Sequence, residues 1–357
     1  MTRVRKTPPF LGPDGEPLAG SIAEAGYLRL GSVDQWVMIR GESVANPPLI
    51  LLHGGPGLSE TFLFRHFTAP LEKSFTLVYW DQRGAGKSFD EAIPGSSMTA
   101  EQLLADLDEL VEHVRARLGR RQVVIFGHSW GAVLGVLYAA RFPDKVAAYV
   151  GSGQIGDWAA AESASYAFAV AEAVRLGSHR ALRKLRAIGP PPYDADAVWT
   201  ERVSIMRLEG QLRPKGIWKM ARSVAGVPEA SPWEFVRTMR VFRKTFAVMW
   251  PEVSRLNLLE LAPVLAVPVY FFLGRRDRWV PPETSLAYYD ALRAPAKKLL
   301  FFEKSGHEPF ADEAEEFNRA MVELVRPVAV AADDRASLAR SARLSVPSAG
   351  RPAEAQR

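Results

Sequence analysis

Short apolar runs separated by amphipathic stretches dominate the first 150 positions of the chain. Residues 48–52 (PLILL), 75–80 (FTLVYW), 122–126 (QVVIF) and 146–150 (VAAYV) are strand-sized and nearly free of polar interruptions. Runs of that kind suit strands buried on both faces of a sheet. Ahead of them, residues 27–30 and 35–40 are β-prone and parted by Gly31 and Ser32, which predicts a hairpin. The stretch between 52 and 75 has room for a short helix. Thr99 to Gln102 reads as a capping box, and Leu103, Leu104, Leu107, Leu110, Val111 and Val114 then recur at helical spacing up to Gly119. A further apolar helix follows the turn at 127–131 and ends at Arg141, Phe142 and Pro143. This alternation of strand and helix predicts an α/β fold: a mostly parallel, doubly wound sheet with right-handed crossovers.

From 152 to about 250 the strand pattern disappears. Residues 158–176 are alanine-rich and helical, and 178–188 form a second helix stopped by Gly189 and three prolines. Further helices carry Trp199, Trp218, Trp233 and Trp250. Strand character returns at 267–273 and 298–302, and a last helix is expected near 312–325. One sheet interrupted by a helical insertion explains this order. The expected division is a core of residues 1–151 and 252–326, a helical cap of residues 152–251, and a tail of residues 327–357. That tail is rich in Ala, Ser, Arg and Pro and too poor in large apolar residues to offset its ordering entropy, so it is expected to be disordered.

Composition narrows the classes of function. With 48% hydrophobic and 24% charged residues in 357 positions, the chain can bury a large core, yet no apolar run approaches a membrane span. Arg3, Arg5 and Lys6 are not followed by a signal-peptide core, so a cytoplasmic location is expected. The absence of cysteine removes disulfides, thiolate metal sites and a cysteine nucleophile together. The net charge of +5 is mild and its basic residues are mostly interspersed with acids, which reads as a solvated surface rather than a nucleic-acid site.

Residues 127–131 read G-x-S-x-G between an expected strand and an expected helix. In that setting Ser129 sits on a tight, strained turn with its hydroxyl raised above the sheet and a helix N-terminus behind it. A serine hydroxyl needs a base to become a nucleophile. Of six histidines, only His179 and His307 follow Ser129. His179 lies in a basic helix of the insertion, whereas His307 lies just past the strand expected at 298–302, at a carboxyl edge where open α/β sheets build their sites. His307 is therefore the expected base. Asp277, just past the preceding strand, is the expected acid that orients it, with Asp157 the alternative.

Residues 53–57, HGGPG, follow the strand at 48–52. Their glycines let the backbone approach a substrate, and the N–H groups of Gly55 and Trp130 are the expected oxyanion donors. His53 is expected to hold that loop. Two other patterns fail. Gly84 to Ser88 resembles the end of a phosphate-binding loop, but Asp81 stands where its first glycine belongs. His307-Glu308 begins a zinc-protease pattern, but Ala311 replaces its second histidine. No cofactor and no metal are implied.

HGGPG at 53–57, DQRGAGKS at 81–88, GHSWG at 127–131, GRRD at 274–277 and SGH at 305–307 together resemble the prolyl aminopeptidase (proline iminopeptidase) branch of the α/β-hydrolases, over residues 48–151 and 262–325. The resemblance implies a Ser-Asp-His triad, a helical cap over the site, and release of an amino-terminal residue, often proline, from short peptides. It also implies cap carboxylates for the substrate ammonium. The family's cap motifs have no match here, and Glu162, Glu209 and Glu234 are the candidate ligands. Three readings follow: the aminopeptidase; an esterase, lactonase or amidase for a small apolar acyl group, suggested by the aromatic cap; and a non-catalytic ligand-binding protein of the same fold. An epoxide hydrolase or dehalogenase is disfavoured, because enzymes of that kind carry aspartate where Ser129 stands. The expected partner is a small molecule or short peptide, with no nucleic acid and no membrane.

Overall fold

A computed structural model describes residues 7–209 and 225–333, except the side chains of Pro232, Glu234 and Phe235. Eight strands form one sheet: β1 (Ile22–Leu30), β2 (Val33–Gly41), β3 (Pro48–Leu52), β4 (Thr76–Trp80), β5 (Val123–His128), β6 (Val146–Ser152), β7 (Val269–Gly274) and β8 (Lys297–Phe302). Their order is β1-β2-β4-β3-β5-β6-β7-β8. β1 pairs antiparallel with β2, and β2 with β4, while every pairing from β4 to β8 is parallel. The β1–β2 turn contains Gly31 and Ser32, with φ of 51° and 67°. Two successive positive φ values mark the hairpin turn whose twist matches that of its strands.

The apolar runs are buried on both sides of the sheet. Ile50, Leu52, Val78, Trp80 and Ile125 face one core, packed by α2 (Ala100–Leu118) and α3 (Trp130–Arg141). Their neighbours Leu49, Leu51, Leu77, Tyr79 and Phe126 face the other. That second core is closed by Phe64 of α1 (Thr61–Phe67) and by the C-terminal helices. In α2 the Thr99 hydroxyl accepts the Gln102 N–H, and Gly119 ends the helix in the left-handed region.

Between β6 and β7 lie α4 (Trp158–Arg175), α5 (His179–Ile188), α6 (Ala195–Leu208), α7 (Pro232–Val253) and the short α8 (Leu258–Leu261). Helices α4 to α6 share a small core of Ala169, Ala173, Leu185 and Ile205. Helix α7 docks on the sheet side, where Thr245 donates to the Gly84 carbonyl at 2.6 Å. Trp218 lies outside the described residues.

The chain ends through α9 (Pro282–Ala291), α10 (Pro309–Asp312) and α11 (Ala314–Ala320). The expected start of a disordered tail at 327 needs correction, because helix continues to 333. Val325, Ala329 and Ala332 recur at helical spacing and are buried against the second core. Residues 334–357 lie outside the described residues. Among the described residues no helix is long and apolar enough to cross a membrane.

Candidate active site

The turn at residues 127–131 joins β5 to α3. Ser129 has φ 54° and ψ −117°, a region that side-chain-bearing residues avoid. Its N–H is held by the Ser152 carbonyl of β6 at 2.9 Å. The flanking glycines are required by close approach. A Cβ on Gly127 would lie 2.6 Å from the Ala132 Cα, and one on Gly131 would lie 2.6 Å from the Leu52 carbonyl carbon. The second glycine thus lets α3 lean on the end of β3, where the HGGPG loop begins.

That loop is held by side chains. His53 Nδ1 lies 2.9 Å from the Gly54 carbonyl, and its Nε2 accepts the Gln82 N–H at 3.0 Å. This pattern requires the neutral Nδ1–H tautomer, in keeping with burial, which lowers the pKa of this ring. The Gln82 side chain donates to the His53 carbonyl at 3.0 Å and accepts from Trp130 Nε1 at 3.1 Å. Asp81 accepts from Ser59 and Thr61, both at 2.6 Å, and from the Lys87 N–H at 2.8 Å. The 81–88 motif therefore braces the loops around Ser129. Gly54 N–H donates to Glu60 at 2.8 Å. Gly55, at φ 110°, is the next residue along the loop, and Trp130, first residue of α3, has no intrahelical acceptor for its N–H.

His307 and Asp277 come from adjacent loops, past β8 and β7. Both are buried, and His307 Nδ1 lies 2.7 Å from Asp277 Oδ2. The other Asp277 oxygen accepts the N–H groups of Trp279 and Val280, both at 2.9 Å. The carboxylate is thereby fixed against rotation. Trp279 lies over His307 with ring centroids 5.2 Å apart, and a Cβ on Gly153 would lie 2.7 Å from His307 Cε1. Arg275 pairs with Glu303, not Asp277. Asp157 caps α4 by accepting the Ala160 N–H, and His179 is exposed at the start of α5. Neither alternative shares this arrangement. Among the described residues no hydrogen bond joins the Ser129 hydroxyl to the His307 ring. Such contacts commonly tighten only when substrate binds.

Around the candidate ligand Glu162 the cap builds a cluster with Glu201 and Arg202, which the sequence did not suggest. Arg202 of α6 pairs with Glu162 of α4 and with its neighbour Glu201, and donates to Ser165 at 2.8 Å. The Arg202 guanidinium lies 5.9 Å from the centre of the Trp279 ring, so one indole separates this cluster from His307. Glu162 Oε2 and Glu201 Oε1 are buried without a partner among the described residues. Burial, opposed by Arg202 and assisted by the charge of Glu201, pushes the Glu162 carboxyl up to about 7. Glu209 caps the C-terminal end of α6, within electrostatic range of Arg278, Asp277 and Glu308. Glu234 lies in α7, its side chain outside the described residues. A cavity of about 880 Å³ opens in the cap beside Glu162, lined by Tyr193, Trp199, Phe242, Phe246 and Trp250. None of Ser129, Asp277 and His307 lines it.

The sheet order, the strained serine turn and the helical insertion define an α/β-hydrolase. Residues 47–314 match the family of serine aminopeptidases S33, and the chain belongs to that family. It is 32% identical over 306 residues to the probable aminopeptidase YbaC of Bacillus subtilis (strain 168), covering 83% of this chain and 94% of that one. The proline iminopeptidase of Neisseria gonorrhoeae is 38% identical over 125 residues, 34% of this chain and 37% of its own. Among solved structures, a proline iminopeptidase-related protein of Thermus thermophilus superposes with a TM-score of 0.60 at 22% identity, over 87% of this chain and 98% of that one. The protein is a hydrolase.

Proposed function

We propose that the protein is a serine hydrolase that releases an amino-terminal residue of proline type from short peptides, through an acyl-enzyme on Ser129. The observations that carry this reading are a strained serine at a helix N-terminus after β5 and a buried His307–Asp277 pair on the loops after β8 and β7, all at the carboxyl ends of parallel strands. His307 Nε2 takes the Ser129 proton as the hydroxyl oxygen attacks the carbonyl carbon. The oxyanion forms against the N–H groups of Gly55 and Trp130, each donor contributing about 3–4 kcal/mol to the transition state. His307 then protonates the leaving amine, and water repeats the sequence to free the acyl group. Asp277 holds the Nδ1–H tautomer and stabilises the imidazolium.

The Glu162–Arg202–Glu201 cluster supports the amino-terminal specificity. Two carboxylates face one guanidinium, each with an oxygen left over, and a substrate ammonium supplies the missing donor and charge. Prolyl-naphthylamide should be hydrolysed while its N-acetylated form is not. If prolyl-naphthylamide is untouched and simple esters are cleaved, the aminopeptidase reading is abandoned. A second reading, hydrolysis of an ester, lactone or amide with an apolar acyl group, is favoured by the aromatic cavity. Turnover of p-nitrophenyl esters that rises with chain length supports it, and no turnover at any length removes it.

A further inference from the structure

Glu60 and His128 take no part in the steps above, yet they are buried among the groups that do. Glu60 precedes α1, and its Oε2 accepts the Gly54 N–H at 2.8 Å. Both Glu60 oxygens lie 2.9 Å from His128 Nδ1. His128, the residue before Ser129, places its Nε2 2.9 Å from the His307 carbonyl oxygen. A carbonyl oxygen and a carboxylate only accept, so a ring between them needs N–H on both nitrogens. With Glu60 ionised, the bonding therefore calls for an imidazolium. Its charges agree. Burial lowers the His128 pKa, but the charge and hydrogen bond of Glu60 outweigh it and raise the pKa to about 9. Burial likewise opposes ionisation of Glu60, and His128 still holds it below the ordinary carboxylate range.

We propose that Glu60 and His128 are positioning residues: one buried ion pair ties the oxyanion loop, the nucleophile turn and the His307 loop into one unit, and its loss sets the alkaline limit of activity. His307 is thereby held at both ends, its ring by Asp277 and its backbone by His128. The titratable groups facing His128 are Glu60 ahead of α1, His53 in the loop after β3, and His307 and Glu308 in the loop after β8. The Phe310 ring stands edge-on at 5.1 Å. Since the folded pKa of His128 lies above its ordinary value, the clamp is intact at neutral pH and is lost as pH rises through about 9. With one proton gone, the ring can serve only one of its two acceptors, and the His307 carbonyl is released.

The inference rests on Ser129 being the nucleophile, so its test reads that serine without involving peptide specificity. Wild type, Glu60→Gln and Glu60→Ala are compared by the rate of inactivation with a fluorophosphonate and by p-nitrophenyl acetate hydrolysis, from pH 6 to pH 10.5. In wild type both rates should fall above pH about 9. Glutamine can accept from Gly54 and donate to His128 Nδ1, leaving Nε2–H for His307 with no charge on the ring. Glu60→Gln should stay within about tenfold of wild type at pH 7, as the bonds and their spacing persist, and lose the alkaline fall. Glu60→Ala should lose on the order of a hundredfold in kcat, as expected for a displacement near 1 Å, with little change in KM. An unaltered kcat in Glu60→Ala overturns the clamp, as does a wild-type alkaline limb in Glu60→Gln, which decides alone if the alanine variant does not fold. A wild type that is never labelled overturns the serine reading itself, and the clamp with it.

Discussion

Gly131→Ala tests how closely the helix behind Ser129 and the HGGPG loop, proposed to hold the oxyanion, must approach. The new Cβ would stand 2.6 Å from the Leu52 carbonyl carbon and 2.8 Å from the His53 oxygen, both backbone atoms that no rotamer change can move aside. A relaxed carbon–carbon contact of ~3.5 Å, set against that 2.6 Å, demands about 0.9 Å of separation between α3 and the end of β3. The shift opens the gap between Trp130 N–H and Gly55 N–H, where the oxyanion is proposed to sit. A displacement near 1 Å is expected to lower kcat about a hundredfold, and overpacking of this kind removes about 1–3 kcal/mol of stability. Steady-state hydrolysis of p-nitrophenyl acetate and a urea denaturation midpoint read the two effects separately. Gly135→Ala is the control. Its Cβ would meet the Tyr149 ring at 2.7 Å, on the same helix but away from the loop, so it should lose stability while kcat stays close to wild type. Equal kcat losses in the two variants, or wild-type kcat in Gly131→Ala, would refute the reasoning.

Other consequences are equally open to measurement. Asp277→Asn should leave the fold intact and lower kcat by roughly four orders of magnitude, as in comparable triads where the imidazole loses its tautomer; a loss under tenfold contradicts the assigned role. For prolyl-naphthylamide, KM should fall as pH rises through about 7, because ionised Glu162 is the form that holds an ammonium. Glu162→Gln should raise that KM about 10- to 100-fold, from about 1.5–3 kcal/mol for a charged hydrogen bond, and flatten its pH dependence, while an ester lacking an amine should show neither effect. Arg83→Met should destabilise the protein by about 3 kcal/mol in urea, the lower end for a broken buried pair. The arginine makes two 2.8 Å bonds to Asp106, which would keep only Gln35 and Gln102 as donors.

Periodicity made the sheet legible. The run at 48–52 coincides with β3 because every one of its side chains is buried, and alternate residues feed the two cores. The cap on α2 was equally plain, since Thr99 and Gly119 each act locally. The C-terminal helix was missed past 326 because alanines at 329 and 332 look too small to anchor anything, yet both are buried in the second core. Ser129, Asp277 and His307 stand out in the sequence as candidates because each follows a strand that announces itself. Glu60, Glu201 and Arg202 do not. Glu60 stands in a loop with no periodicity, and adjacent Glu201 and Arg202 read as a solvated stretch of helix until tertiary packing buries them.

The most direct measurement is the site of covalent capture. After brief reaction with a fluorophosphonate, peptide mapping by mass spectrometry should place a single adduct on Ser129, abolished in Ser129→Ala together with roughly a million-fold of turnover, the loss seen in comparable triads. An adduct on another serine, or full turnover in Ser129→Ala, would contradict the account at its centre.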